Sequence, residues 1–430
     1  MIHRSSIILG PPGCGKTTRL MDIVDKEIKD GVPPNRIAFC SFTKKAASEA
    51  IDRAADRFNY SKKDMVYFRT IHSMAFQACG MKKDQVLQHK DYKRIGEHLG
   101  VTFSSKYADD LADGVVTKHR GDHYRHFDAF ARARHMKTED VWHHFNTDDL
   151  NWYEFLRYLE VVQMYKSKYQ LYDFADMLTM AKKALPVDVL IVDEAQDLST
   201  AQWEYLAPTL ATAKRVYIAG DDDQAIYQWS GADVSQFLKL DGDKTVLSQS
   251  YRVPRSIHTL ASTITDKIHR RIPKEYSPKA SNGRVDYFTS VDHIDMSTGT
   301  WLLLARNSYL LGELAETVKG QGWAYCVRDR STISQTHVRA ITQWEKWRKG
   351  AELSDNDFEL IAEFLPQTCT KWPNVIWHEA FTRMRPEDRE YYISLLRRGE
   401  PLVKSPRINI STIHGVKGGE ADNVVLLSDV

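Results

Sequence analysis

Long apolar runs are missing from this 430-residue chain. None reaches the roughly 18 residues of a membrane-spanning helix, so no membrane association is expected. The opening stretch, MIHRSSIILG, holds only a short apolar run and leads straight into a glycine loop. A secretory leader needs a longer apolar core and a small-residue cleavage site, and neither is seen. Cysteine is scarce and scattered. Cys14, Cys40, Cys79, Cys326 and Cys369 show no C-x-x-C spacing, which argues against a disulfide framework or a zinc knuckle and fits a reducing, cytoplasmic setting. An excess of one charge is missing too: the formal net charge is +2. Bulk charge therefore does not demand a nucleic-acid partner, and any basic footprint must be local. There is no repeat of fixed period and no low-complexity tract. What remains is an ordinary globular composition over a length that suits roughly two to four domains.

Apolar strands alternate with amphipathic helices. SIILG (6–10), RIAFCSF (36–42), DVLIVDE (188–194) and RVYIAGDD (215–222) are short apolar runs predicted as buried strands. Between them, Leu20, Ile23, Val24 and Ile28 recur at helical spacing with Gly31 as a stop, and KKAASEAIDRAADRF is a second predicted helix. This alternation implies an α/β fold with a parallel sheet covered on both faces. Residues 80–170 differ, being polar, rich in His, Tyr and Lys, and helical in tendency. A second α/β unit follows in GTWLLLARNSYLLGELAETVKGQGWAYCV. Residues 330–404 turn polar and helical again, and RINISTIHGVKGGEADNVVLLSDV returns to strands. Two α/β cores, each interrupted by a mainly helical insertion, are expected.

The first glycine loop carries chemistry. GPPGCGKTT comprises Gly10, Pro11, Pro12, Gly13, Cys14, Gly15, Lys16, Thr17 and Thr18. It matches the phosphate-binding pattern G-x-x-x-x-G-K-[ST] after a strand and before a helix. There glycines let backbone N–H groups wrap a phosphate, Lys16 neutralises the β/γ charge, and Thr17 offers a hydroxyl to Mg²⁺. In LIVDEAQD, Asp193 stands at the tip of an apolar strand where it can hold the magnesium. Glu194 beside it can accept a proton from an attacking water. A further loop, GDDDQAIYQWSGAD (220–233), combines acids and an amide with Tyr227 and Trp229. Acids suit a metal or phosphate, whereas an exposed indole suits a nucleobase; Trp229 by itself would be read as core. His119, His123, His126, His135, His143 and His144 crowd the first insertion. Without accompanying cysteines they read as a solvated helical surface rather than a metal site.

Eight segments in order resemble the superfamily 1 helicases of the UvrD/Rep type. They are GPPGCGKTT, CSFTKKAASEA, FRTIHSMAF, LYDFADML, VDEAQDLS, IAGDDDQAIYQWSGA, LSQSYRVPRSI and ISTIHGVKGGEADNVVLL. The resemblance implies two RecA-like P-loop NTPase cores. Core 1A would span 1–79 and 170–245, with insertion 1B at 80–169. Core 2A would span 246–330 and 405–430, with a reduced insertion 2B at 331–404. It implies that Gln224 senses the γ-phosphate and the attacking water. Tyr251 would stack on adenine, Arg252 would reach the γ-phosphate as an arginine finger, and Glu420 would touch the nucleotide sugar. Trp229, with Tyr227, would stack on bases of single-stranded DNA, a sequence-indifferent contact worth roughly 1–3 kcal/mol per base. Phe42, Thr43 and Lys44, then Thr70, His72 and Ser73, and His414 beside Lys417 in the last motif, would line the DNA path.

The resemblance further implies an ATP- and Mg²⁺-dependent motor moving 3′ to 5′ on single-stranded DNA and acting at ss/ds junctions. It would be a monomer or weak oligomer, with ATP between the cores and any protein loading partner unknown. Two departures stand out. No adenine-reading glutamine lies upstream of Gly10, which shifts purine contact onto Tyr251. The family's next arginine-bearing motif does not follow by Val430, so a truncated form of a longer helicase is expected. The rivals are a translocase that does not unwind and an ATP-sensing DNA-binding module. Replacing Lys16 by Ala is expected to abolish nucleotide hydrolysis, as measured by phosphate release; wild-type turnover would remove the glycine loop from the reaction.

Overall fold

The computed structural model describes residues 5–41, 51–52, 55–57, 61, 63–105, 107, 119–145, 147–366, 374–403 and 405–428. Most of the helix expected over 44–58 lies outside the described residues. The chain forms two compact units, the first reaching Val285 and the second running from Asp286. The sequence reading began the second core at 246.

The first unit opens with β1 (Ser5–Leu9), α1 (Lys16–Lys29), β2 (Ile37–Ser41), β3 (Phe68–Thr70) and α2 (Ile71–Ala78). Among the described residues of the insertion, α3 (His89–Leu99), α4 (Arg120–Arg134), α5 (Thr138–His144) and α6 (Trp152–Tyr169) follow. The chain then returns to the core through α7 (Phe174–Met180), β4 (Val189–Val192), α8 (Thr200–Thr212), β5 (Arg215–Gly220), α9 (Val234–Leu238), β6 (Gly242–Val246) and α10 (Arg255–Thr265). The sheet order is β3-β2-β4-β5-β1-β6, and every pairing is parallel.

The near-continuous apolar runs of β1, β2 and β4 follow from burial on both faces. Ile7, Leu9, Ala38, Cys40, Leu190 and Val192 point into a core built with α2, α7 and α8. Their neighbours Ile8, Ile37, Phe39, Val189 and Ile191 point the other way, onto Leu20, Met21, Ile23 and Val24 of α1. The periods of two and 3.6 meet there. Each such aliphatic side chain contributes about 1.5–3 kcal/mol when fully buried.

The insertion has a core of its own, unusually aromatic: Tyr92, Tyr124, Phe127, Phe130, Phe155 and Tyr158 are all buried in it. Phe127 stacks on Phe145 with ring centroids 4.8 Å apart. A partly buried ion network fastens the insertion to the start of α7. Asp173 caps that helix by accepting from Asp176 N at 3.0 Å, and Asp176 returns a bond from Asp173 N at 2.9 Å, a capping box. The same two acids meet Lys166 of α6 at 2.6 Å each, and Arg132 of α4 reaches Asp173 at 2.6 Å and Asp176 at 2.5 Å. Burial favours a neutral Asp173, but Arg132 and Lys166 outweigh it and hold the carboxyl down at about 2.

In the second unit β7 (Trp301–Ala305), α11 (Leu311–Gly320), β8 (Tyr325–Val327) and β9 (Arg330–Ser331) precede four helices among the described residues. These are α12 (Gln335–Arg348), α13 (Asp355–Ala362), α14 (Trp377–Ala380) and α15 (Pro386–Arg397); β10 (Ile408–Thr412) and β11 (Asn423–Leu426) follow. The strand order is β11-β7-β10-β8-β9, parallel except for β8–β9. Trp344, Phe381, Tyr392 and Leu395 from the helices share one core with Leu303, Ile408 and Ile410 from the strands. Unlike the first insertion, this helical stretch packs directly on its sheet. None of the described helices is long and apolar enough to cross a membrane.

A carboxyl whose folded-state pKa is depressed contributes stability above its unfolded value, and that contribution is lost as pH falls through the folded value. Asp173→Asn is therefore expected to lower stability at pH 6 by about 2 kcal/mol. Denaturant midpoints should show the gap to wild type closing between about pH 4 and pH 2; a pH-independent gap would contradict the ionic account.

Candidate nucleotide site

The carboxyl ends of adjacent parallel strands converge on one place, where open α/β sheets bind ligands. β1 runs out into the glycine loop, β4 into Asp193 and β5 into Asp221. α1 starts from Gly15, whose φ is 83°, with no side-chain cap. Its first N–H groups are directed at the space a phosphate would fill. Gly13 has φ 70°, and a Cβ there would stand 2.2 Å from Arg252 Cβ, so only glycine fits.

Lys16 is buried, with 7% of its surface exposed. Its ammonium donates to Gly10 O at 2.8 Å and Pro11 O at 3.4 Å. Thr17 Oγ1 donates to Asp193 Oδ2 at 2.9 Å. Asp193 is 2% exposed. Burial first, and the neighbouring Glu194 second, push its carboxyl up to about 6. A hydroxyl paired with a desolvated carboxylate is a hard oxygen set that fits Mg²⁺.

Glu194 sits at φ 53°, a left-handed conformation that costs a non-glycine residue on the order of 1–3 kcal/mol. The surroundings hold it there: Gln196 Nε2 donates to Glu194 Oε2 at 2.6 Å, and Gln196 Oε1 accepts from Asp221 N at 3.0 Å. Gln196 is fully buried. Gly220 makes room for it, since a Cβ at that position would meet Gln196 Oε1 at 2.6 Å. Gln224 Nε2 in turn donates to Asp221 Oδ2 at 2.5 Å. Glu194 and Gln224 are thus joined through Gln196 and Asp221.

The segment carrying Tyr251 and Arg252 is zipped onto the glycine loop. Ser250 Oγ donates to Pro12 O at 2.7 Å and Tyr251 N donates to Gly13 O at 2.9 Å. The Tyr251 side chain is 74% exposed. Glycine loop, acids, Gln224, Tyr251 and Arg252 therefore form one cluster within the first unit. Gln196 and Ser250, which complete it, carried no assigned role in the sequence reading. Gln196 lies inside the VDEAQD motif, whereas Ser250 works through a backbone contact with no local signature.

The expected DNA residues are more dispersed. Trp229 is half-buried, its indole backed by the His126 ring with centroids 5.8 Å apart and 30° between planes. His126 is itself buried among Phe130 and Phe145, which lowers its pKa to about 4. The solvated surface expected for the histidine group is therefore corrected at His126. Arg134 of the same helix donates to Ala232 O at 2.5 Å and pairs with Asp233 at 3.6 Å. Helix α4 thus buttresses the loop at Trp229 and just beyond it. Tyr227 is buried beneath that loop. Thr70 caps α2 by accepting from Ser73 N at 3.3 Å. His72 is half-buried with its ring edge on Phe174, and burial draws its pKa to about 4. Phe42, Thr43 and Lys44 lie outside the described residues. In the second unit His414 and Lys417 are half-buried in the turn after β10, where Lys417 N donates to His414 O at 3.3 Å; Glu420 is exposed.

A parallel sheet with a glycine-loop helix, a strand-end acid pair and a hydroxyl–carboxylate contact defines a P-loop nucleotide-binding protein. The sequence profile of the UvrD/REP helicase N-terminal domain matches residues 1–245, more than half of the chain. The chain belongs to the UvrD/REP helicase family. It is 25% identical over 316 residues to the ATP-dependent DNA helicase PcrA of Leuconostoc citreum, covering 66% of this chain and 40% of that protein. To PcrA of Staphylococcus aureus strain Mu50 it is 24% identical over 331 residues, covering 67% and 42%. PcrA of Staphylococcus epidermidis gives 25% over 319 residues, with the same coverage. The chain spans about two-fifths of the length of the curated relatives it matches.

Glu194→Gln is expected to keep nucleotide affinity while lowering turnover on the order of 10²–10⁴-fold. Gln196→Ala should show a smaller loss of the same kind. Nucleotide titration beside product release separates the two effects, and a binding defect without a turnover defect would contradict the assignment.

Proposed function

We propose that this chain is the motor part of an ATP-dependent DNA helicase or translocase that moves 3′ to 5′ on single-stranded DNA. The observation that carries the reading is the continuous set Lys16, Thr17–Asp193, Glu194–Gln196–Asp221–Gln224 around one glycine loop. The relatives' names, ATP-dependent DNA helicase, point the same way.

On this reading Lys16 exchanges the carbonyls of Gly10 and Pro11 for the β- and γ-phosphate oxygens of ATP. The backbone N–H groups of residues 13–18 wrap the phosphates. Thr17 and Asp193 would hold Mg²⁺, which supplies charge neutralisation at those oxygens. Gln224 orients a water in line with the γ-phosphorus, and Glu194 accepts its proton as the new P–O bond forms and the bond to ADP breaks. Arg252 neutralises charge on the transferred group. Tyr251, with its phenol ring outside, stacks on adenine.

Trp229 takes one DNA base on the face opposite His126. Phe42, Thr43, Lys44, Thr70, His72 and Ser73 contribute the rest of a path for single strands and ss/ds junctions. His72, held neutral at ordinary pH, serves there as a hydrogen-bonding group rather than a charge. The working compartment is the cytoplasm. The test is ATP turnover with and without an oligothymidylate. Strong stimulation supports the motor, and none supports an ATP-sensing DNA-binding module; strand displacement against protein removal then separates helicase from translocase.

Trp229→Ala is expected to cut DNA stimulation on the order of tenfold, the loss of one stacked base, while basal hydrolysis stays at the wild-type rate. Equal stimulation in both proteins, in a turnover assay against oligonucleotide concentration, would contradict stacking.

A further inference from the structure

The three aspartates of the GDDDQ loop invite a cation, and the structure supplies one from the chain itself. Lys274 Nζ stands 3.0 Å from Asp221 Oδ1, 2.7 Å from Asp222 Oδ1 and 2.8 Å from Asp223 Oδ2. Its side chain is 2% exposed. An ammonium has three N–H donors, and three acids surround this one. Burial disfavours the charged lysine, but Asp221 and the bonds to Asp222 and Asp223 outweigh it and raise its pKa. The sequence reading of these acids as a metal or phosphate site is corrected accordingly: their partner is Lys274, with Arg271 on Asp223 at 2.8 Å.

We infer that Lys274 is a positioning residue for the hydrolytic step, acting on Gln224 through Asp221. The inference rests on the ATP-hydrolysis reading above. Asp221 presents Oδ1 to Lys274 and Oδ2 to Gln224 Nε2. A carboxylate accepts hydrogen bonds only, so it dictates which end of the Gln224 amide faces it, leaving the carbonyl end as the one that can accept from water. The Asp221 backbone N–H meanwhile holds Gln196, and Gln196 holds Glu194. Lys274 thus ends a chain of contacts that reaches both groups assigned to the attacking water. A mere rivet for residues 271–274 would not need this. Ile272 N already donates to Asp222 Oδ2 at 2.7 Å, and Arg271 already grips Asp223. The contact with Asp221 is the one that bears on Gln224.

The test is a double-mutant cycle of Lys274→Met with Gln224→Ala. In the wild-type background Lys274→Met is expected to lower kcat on the order of 10–100-fold, the scale of a small misplacement at a reacting centre, with KM for ATP within about twofold. In the Gln224→Ala background it should lower kcat by less than about threefold. An equal loss in both backgrounds, or an unchanged kcat, overturns the inference. A readout independent of turnover uses ADP–tetrafluoroaluminate with Mg²⁺ against ADP. Lys274→Met should reduce the ratio of the two affinities by the same factor as kcat, and an unchanged ratio overturns the inference. A wild-type chain that hydrolyses no ATP overturns the function proposed above instead, and the affinity ratio still decides the role of Lys274. If Lys274→Met does not fold, Lys274→Gln is read by the same measurements and the same criteria.

Discussion

Charge buried at the carboxyl ends of three parallel strands is the constraint around which the first unit is arranged. Lys16, Asp193, Asp221 and Lys274 are all nearly inaccessible to water. An unpaired ion in such a place costs several kcal/mol, so each has a partner: Lys16 the carbonyls of its own loop, Asp193 the Thr17 hydroxyl, Asp221 the Lys274 ammonium. The pairings are unequal. Lys274 is fully compensated, while burial and the neighbouring Glu194 keep the Asp193 pKa raised despite the Thr17 hydroxyl. The glycine loop therefore presents a cation satisfied only by neutral carbonyls, beside an anion satisfied only by a neutral hydroxyl and a backbone N–H. A phosphate with a divalent cation supplies what both lack.

The same region stores strain and spends contacts to keep it. Glu194 is held in a left-handed conformation by a fully buried amide, and that amide fits only because residue 220 is glycine. Ser250 and Tyr251 close the loop from the other side through backbone carbonyls. Farther out, helix α4 joins two jobs. Its Arg132 meets the capping-box acids of α7, and its His126 and Arg134 brace the loop that carries Trp229. The insertion is fastened to the same loop that holds Gln224, so Trp229 and Gln224 share one short, braced stretch of backbone.

Much of the first sheet was legible in the residues. Four apolar runs are expected as strands; β2, β4 and β5 lie within theirs and β1 starts one residue ahead of its run, because burial on both faces leaves few polar residues in a strand. The glycine loop was legible because phosphate geometry restricts residue types at fixed spacing. The helical character of both long insertions was visible, but their packing was not. Nothing local distinguishes the first, with its own aromatic core, from the second, whose Trp344 and Tyr392 join the sheet core. His126 read as solvated because polarity was taken for exposure. Lys274 lay 50 residues beyond Gln224 in a stretch without periodicity, and no pattern announced the pairing.

Residue order by itself determined the chemistry on offer: a phosphate cradle, a strand-end acid pair, an amide and aromatics in one loop, and membership of a helicase family. These depend on near neighbours in the chain, where spacing dictates geometry. Only the tertiary structure decided which acid was compensated and by what, which aromatic had a backing ring, and which amide ties Glu194 to Gln224. Those outcomes depend on burial and on contacts between distant segments, which no short stretch of sequence contains.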